Sequence, residues 1–550
     1  MKKIIYIAFL SSSFLVSCNF LDETPQGIMT DEEVKTQVEG LVTAAYSALG
    51  NDHYDVPFSL WPYGNVRSDD AYKGGGDLND IGVFHFYEIS QNIQPTFGEP
   101  DKLWFSCFQG ISRANNALRL LKESSFEKKN ERMGEMYFIR GHFYFMLKRV
   151  FGHIPFVDEN TPDNEYEKTP NTLPNDEQWA WIVSDFKKAY DLLPKNQPQK
   201  GRANKYAAAT YLAKAYLYKA YRQDEANNVT SINSNDLEEV LTYTNEVMTS
   251  SYGLEEDFAF NFLPGEYENG KESIFAIQYS HEDGTAYGRL NWGDVLSTPM
   301  GLGCCDFHKP SQNLVNAFKT SNGIPQFDSY NNVNYNASSD KVDPRLFHTV
   351  AIPGLPYKYN INRIYKEDWN RNINIYGVYA SLKENVDPDC PCFKNINPFR
   401  GNSKNRIVLR YADVLLMRAE ALIELNRHND ALVLINQVRT RAKQSTSLIG
   451  YASNVDIEPY SNSNWTKEYA QQALRWERRL EFAMEGERFF DLVRWGIAHE
   501  VLNAYYISEA TRRPAIYSNA RFTKNKNEYI PIPQQQIGFV KGIYKQNVGF

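Results

Sequence analysis

The sequence predicts a mostly α-helical protein, a tetratricopeptide-like body of about four helix pairs carrying a large loop-rich insert with short strands. Three observations predict it. First, Tyr411, Val414, Leu415, Ala419 and Leu422 fall at the three-and-four spacing of one helical face. The turn formers Asn426 to Asp430 then separate them from a second run carrying Ala431, Leu434, Ile435, Val438 and Ala442. Small residues at Ala412, Ala419 and Ala421 let the two helices approach, which reads as a helix hairpin that must stack on others to bury its apolar face. Second, helical periods occupy two blocks, before residue 250 and after residue 408. Third, Gly, Asn, Pro and Tyr dominate the stretch from Ser280 to Asn405. An insert of that length on a helical scaffold usually carries binding.

The elements follow in order. Lys2 and Lys3, the apolar run Ile4–Leu10 and the small residues before Cys18 predict a cleaved signal peptide over 1–17. The run is too short for the roughly 20 residues that span a bilayer. Leu15-Val16-Ser17-Cys18 resembles a bacterial lipobox, in which Cys18 is lipidated and 18–30 becomes a tether. An N-terminal helical part is expected over 31–265, with helices at Glu32–Leu49, Trp104–Leu121, Arg132–Val150, Asp176–Leu193, Lys205–Tyr221 and Asn235–Thr249. Between the first two lies an irregular loop at 57–90 with Trp61, Tyr63, Tyr72, Gly74–Gly76 and Tyr87. The insert is placed at 266–408, with a strand at Lys271–Tyr279, and a closing helical part at 409–550. Net charge is −8, which argues against nucleic acid as a partner. The chain has 36 Tyr and 9 Trp, flat apolar faces with a polar handle that suit sugars or protein partners as well as a core.

The most specific pattern is Arg-x-x-E-x-x-x-E-G-x-R-x-x-D-L-x-R-W-G, running from Arg478 to Gly496. Together with Cys-x-x-Leu-Asp-x-x-Pro at Cys18–Pro25, Val342-Asp343-Pro344-Arg345-Leu346 and Tyr529-Ile530-Pro531-Ile532-Pro533, it resembles the SusD/RagB family of glycan-binding lipoproteins. The resemblance covers nearly the whole mature chain. It implies a protein tethered at the outer-membrane cell surface by lipid. There it would bind an oligosaccharide or polysaccharide non-covalently and pass it to a SusC-like TonB-dependent transporter. It implies no cofactor, no metal and no catalytic residue. In the motif itself, interleaved Arg and Glu on helices read as structural pairs.

Asp69 and Asp70 sit where the family carries an acidic pair beside its ligand, and carboxylates next to Tyr72 and Tyr87 suit sugar hydroxyls. Either aspartate could instead cap a turn. In the insert, Tyr287, Trp292, Cys304, Cys305, Arg371 and Tyr376 are chosen by residue type and location. Of six cysteines, Cys107 reads as a buried thiol, while Cys304-Cys305 and Cys390-Pro391-Cys392 lack zinc-ligand spacing. In an exported protein, either the two clusters cross-link or Cys304–Cys305 pairs with itself as a flat apolar platform. A Cys pair at this place resembles fructan-binding members, so fructan is the ligand this resemblance implies. No Gly-x-Ser-x-Gly, His-Glu-x-x-His, phosphate loop or dinucleotide fingerprint occurs. A surface glycosidase and a tetratricopeptide adaptor that binds only protein stay open as alternatives, because paired carboxylates are brought together in space rather than in sequence.

Overall fold

The computed structural model describes residues 38–286 and 288–550. The expected signal peptide, Cys18, the expected tether, the start of the first expected helix and Tyr287 lie outside the described residues. At 47% helix and 11% strand, the chain is mostly helical with small scattered strands. The longer helices are α1 (Val38–Ser47), α2 (Gly82–Ile89), α3 (Gly98–Glu123), α4 (Lys129–Phe151), α5 (Asn175–Leu192), α6 (Lys205–Ala220) and α7 (Ser234–Met248). After the insert come α8 (Tyr411–Glu424), α9 (His428–Gln444), α10 (Lys467–Glu481), α11 (Arg488–Arg494) and α12 (Ala498–Arg512). No described helix is long and apolar enough to cross a membrane.

Helices α3 to α7 pack each on the next, and α8 then packs on both α7 and α9. The stack is therefore continuous across the insert, with α7 and α8 neighbours although Arg418 reaches the Leu241 carbonyl across 177 positions of chain. Sequence chemistry sets the details. In α6, Ala207, Ala208, Ala209, Ala213 and Ala215 are all fully buried, so α5 and α7 can close on it from either side. Asn204 and Asn233 cap α6 and α7 by accepting from the amides of Ala207 and Asp236.

The loop read as irregular at 57–90 is partly regular. It holds strand β1 (Ala71–Gly74) and helix α2, whose Phe84, Tyr87 and Ile89 face the core. α2 is too short and too uniformly apolar, as Gly-Val-Phe-His-Phe-Tyr-Glu-Ile, for the helical period to separate. Helix α12 falls within the expected helical part at 409–550, but beyond Trp495, where the period of the last individual helices ends. In the insert, strands come as two-stranded pairs: β2 (Ser273–Ile277) with β6 (Arg406–Arg410), β1 with β3 (Phe307–Pro310), and the hairpin β4 (Phe393–Ile396) with β5 (Phe399–Asn402). The β1–β3 pair joins the early loop to the insert in the register Tyr72↔Lys309.

The motif from Arg478 to Gly496 fastens insert to body. Glu481 accepts from Arg345 at 2.9 Å, from Arg410 at 2.6 Å and from Arg441. Glu272 accepts from the same Arg410 nitrogen, Nη1, at 2.9 Å and from Nη1 of Arg441 at 2.7 Å, while Nη2 of Arg441 goes to Glu481. Arg345 is forked onto Asp343 at 3.0 and 2.7 Å, so the Val342–Leu346 stretch of the insert is held by α10. These groups are buried and each pair supplies the charge the other lacks.

Candidate functional site

Asp69 and Asp70 do not face solvent. Asp69 is bound by Arg488 at 2.8 and 3.0 Å and by Arg479 at 3.1 Å, and Asp70 by Arg479 at 2.9 Å. Burial pushes the Asp69 carboxyl up, but the two guanidiniums outweigh it and hold it at about 2. The Asp69–Asp70 pair thus carries β1 into contact with the helical motif, and the expectation that the pair meets ligand is corrected by its burial. Tyr72 is also internal: its hydroxyl donates to Glu509 at 2.6 Å and accepts from the Gln312 amide at 3.0 Å. Tyr87 packs against Tyr63 and Phe84 with its ring fully buried. None of these four offers a surface to a sugar.

The residues chosen in the insert fare differently. Cys304 and Cys305 are joined to each other, and Cys390 to Cys392, so the two clusters do not cross-link. Cys304 is half-buried and Cys305 buried. The segment around them is fixed on three sides. The Gly75 amide donates to the Asp306 carbonyl at 2.9 Å, tying it to the turn after β1. Arg400 of β5 donates to the Leu302 carbonyl at 3.1 Å. The Arg371 amide donates to the Asp306 carboxylate at 2.7 Å, whose other oxygen takes Lys309 at 2.6 Å. Burial pushes the Asp306 carboxyl up and the Lys309 ammonium down, each opposed by the other's charge.

Arg371 itself reaches out and meets Asp80 at 2.6 Å, with side chains 40% and 29% exposed. Asp80 also accepts from the Gly76 amide at 2.8 Å, and Asn372 donates to the Gly76 carbonyl at 2.9 Å. Tyr376 is buried; its hydroxyl donates to the Asp77 carbonyl at 3.2 Å and so shapes this turn from beneath. Lys73 does the same through the carbonyls of Asp77 and Asp80 at 2.8 and 2.6 Å. Burial draws its ammonium down to about 8. The result is a crest of half-exposed groups: the disulfide, Arg371, Asp80, Arg400 and Trp369, whose ring lies against Gly301. Trp292 belongs to an adjoining aromatic group, with Phe399 at 5.9 Å and Phe399 in turn 5.1 Å from Tyr54. Asp80, Trp369, Arg400, Phe399 and Tyr54 escaped the sequence reading, because no period or motif marks them.

A separate cavity of about 110 Å³ is lined by Trp61, His308, Glu384, Lys404 and Arg406 among others. Ligand sites run to about 300–1,000 Å³, so it cannot house a saccharide. Asp52 is buried near Arg406 and Asp294, in the turn that carries Tyr54. Desolvation pushes its carboxyl from 3.8 to about 6, Arg406 opposing and Asp294 adding. The folded state therefore holds this proton more tightly than the unfolded chain. Its contribution is full below the unfolded value and is lost as pH rises through about 6. Asp52→Asn is expected to stabilise the protein at pH 8 by about 1–3 kcal/mol and to leave it unchanged near pH 4. Thermal melts of both proteins across that range check it, and parallel curves would contradict it.

The residues so placed match known proteins over the whole chain. Residues 271–550 match the SusD family, and residues 19–217 match a family described as starch-binding and associating with the outer membrane. A SusD-like protein of Formosa agariphila is 23% identical, the alignment covering 100% of this chain and 99% of that protein. Among solved structures, a SusD superfamily protein from Bacteroides vulgatus superposes with a TM-score of 0.70 at 22% identity, over 94% of this chain and 99% of that one. A laminarin-binding SusD-like protein superposes with a TM-score of 0.65 at 22% identity, again over 94% and 99%. With half its length matched by the family and the same helical body in these structures, the chain belongs to the SusD family.

Proposed function

We propose that the protein captures an oligosaccharide or polysaccharide at the crest and holds it without cleaving it. The observation that carries this is the Cys304–Cys305 disulfide, reaching the surface through Cys304, near Arg371, Asp80, Arg400 and Trp369. A disulfide between adjacent residues and an indole both offer flat apolar faces on which a sugar ring can lie. Arg371 donates to hydroxyl or ring oxygens while Asp80 accepts from hydroxyls, and their mutual pairing fixes both before ligand arrives. Cys304, Cys305, Arg371 and Trp292 remain the contacts proposed from the sequence, joined by Asp80, Trp369 and Arg400. Asp69, Asp70, Tyr72, Tyr87 and Tyr376 act as positioning residues beneath them. SusD-like proteins are carbohydrate-binding, and the laminarin-binding relative supports a glycan as the ligand. Fructan is the narrower ligand, carried by the resemblance of the Cys pair alone. Anchored through Cys18 at the outer-membrane surface, the protein would hand its cargo to a TonB-dependent transporter.

The test is calorimetry of the full chain against levan, inulin, laminarin, xyloglucan and starch, with reducing ends assayed in parallel. One of these glycans is expected to bind with no new reducing ends. Cys304→Ala/Cys305→Ala and, separately, Arg371→Ala are each expected to weaken it about tenfold or more. Binding that survives both variants would remove the crest as the site, and new reducing ends would make the protein a glycosidase.

A further inference from the structure

Two pockets adjoin each other along β2, away from the crest residues. One encloses about 440 Å³ and the other about 320 Å³, both within the range of ligand sites. They share a wall made by the turn Gln199–Arg202 and by Phe275 and Ala276. β2 pairs with β6 on one edge and has no strand on the other among the described residues. In a chain with 67 acidic residues and a net charge of −8, neither pocket is lined by a single Asp or Glu.

Four cations line them instead, and two are unspent. Arg202 is committed to Glu39 and Glu135 at 2.7 Å each, and Lys271 faces Glu256 at 3.9 Å. Arg289 is exposed, and its one hydrogen bond among the described residues goes to the Ser47 carbonyl at 2.6 Å. Lys200 is exposed with no partner among the described residues. The remaining lining suits hydroxyl-rich ligands: Gln199 and Asn196 carry carboxamides, and the half-buried Tyr206 and Tyr252 meet edge-on at 5.9 Å. Carboxamides and tyrosines beside free cations favour a saccharide over an acidic peptide.

We propose that the two pockets form a second binding groove, for an anionic oligosaccharide bearing carboxylate or sulfate groups. Lys200 and Arg289 take the anionic groups, and the carboxamides and tyrosines take the sugar. The groove shares no lining residue with the crest, so the two sites fail or stand separately.

The experiment is calorimetry of the full chain with oligogalacturonate, a sulfated galactan oligosaccharide, a size-matched neutral galactan oligosaccharide and a polyglutamate peptide. At least one anionic saccharide is expected to bind, and the neutral one to bind at least tenfold more weakly (about 1.4 kcal/mol). Raising salt from about 50 to about 500 mM should weaken that binding. Lys200→Gln/Arg289→Gln, two exposed positions whose change leaves the fold intact, should weaken it about tenfold or more. The Cys304→Ala/Cys305→Ala protein should bind the anionic saccharide as the parent does. The oligogalacturonate and sulfated arms tell which anion is preferred. The proposal is overturned if neither anionic saccharide binds, if the Lys200/Arg289 variant binds unchanged, or if polyglutamate outcompetes both.

Discussion

Glu481→Gln is expected to destabilise the protein by about 3–5 kcal/mol, the cost of breaking a buried ion pair from one side. Glu481 is fully buried and is the shared acceptor of Arg345, Arg410 and Arg441. Burial pushes its carboxyl up, yet the three guanidiniums outweigh that and hold it well below the ordinary carboxylate range. Its contribution is therefore present at neutral pH and lost as pH falls below the usual carboxylate range. A neutral amide keeps the shape but leaves three buried guanidiniums facing less negative charge. The midpoint of denaturant unfolding should fall with an unchanged slope. Glu458→Gln is the control: its pair with Lys443 at 2.6 Å is half exposed on both sides and is worth less than about 1 kcal/mol. A Glu481→Gln protein that matched the control would contradict the clamp.

The second large effect is at Gly64 and Gly486. A Cβ on Gly64 would lie 1.9 Å from the Gly486 carbonyl oxygen, and a Cβ on Gly486 would lie 2.5 Å from the Ser59 carbonyl oxygen. Here two backbones touch, and neither atom belongs to a side chain that could swing away. Gly486 also has φ +82°, and its amide donates to Asn65 at 2.8 Å. Alanine there combines left-handed strain of about 1–3 kcal/mol with overpacking of about 1–3 kcal/mol. Gly64→Ala carries the overpacking alone. The expected order of thermal stability is parent, then Gly64→Ala, then Gly486→Ala, read by calorimetry or by resistance to proteolysis if the last variant folds poorly. Equal melting of all three would show that the contact relaxes freely.

Much of the scaffold could be read from the chain alone. α3, α5 and α7 to α9 follow the apolar period, since each buries one face against a neighbour. α4 and α6 are buried nearly all round and were legible from their length and their helix-forming residues. α2 escaped because eight nearly all-apolar residues show no face. The loop carboxylates were misassigned for a different reason. Asp69 and Asp70 look like solvent-facing acids in sequence, while the Arg479 that neutralises Asp70 lies 409 positions away. The opposite held for the motif around Arg478, where acid and base alternate closely enough for pairing to be read directly. The cysteines left two arrangements open, and only three-dimensional placement chose between them. At the crest, Trp369 and Arg400 become neighbours of the Gly301–Gly303 turn before Cys304 through loops whose geometry no spacing rule encodes.

The split helix pair α7 and α8 has a cost during biogenesis. A chain emerging from the ribosome presents the apolar flank of α7 long before its mate arrives, because the whole insert must be made first. During that interval the N-terminal block is sticky and unfinished. A fragment ending at residue 265 would consequently clump in isolation and regain solubility only when the C-terminal portion is supplied in trans.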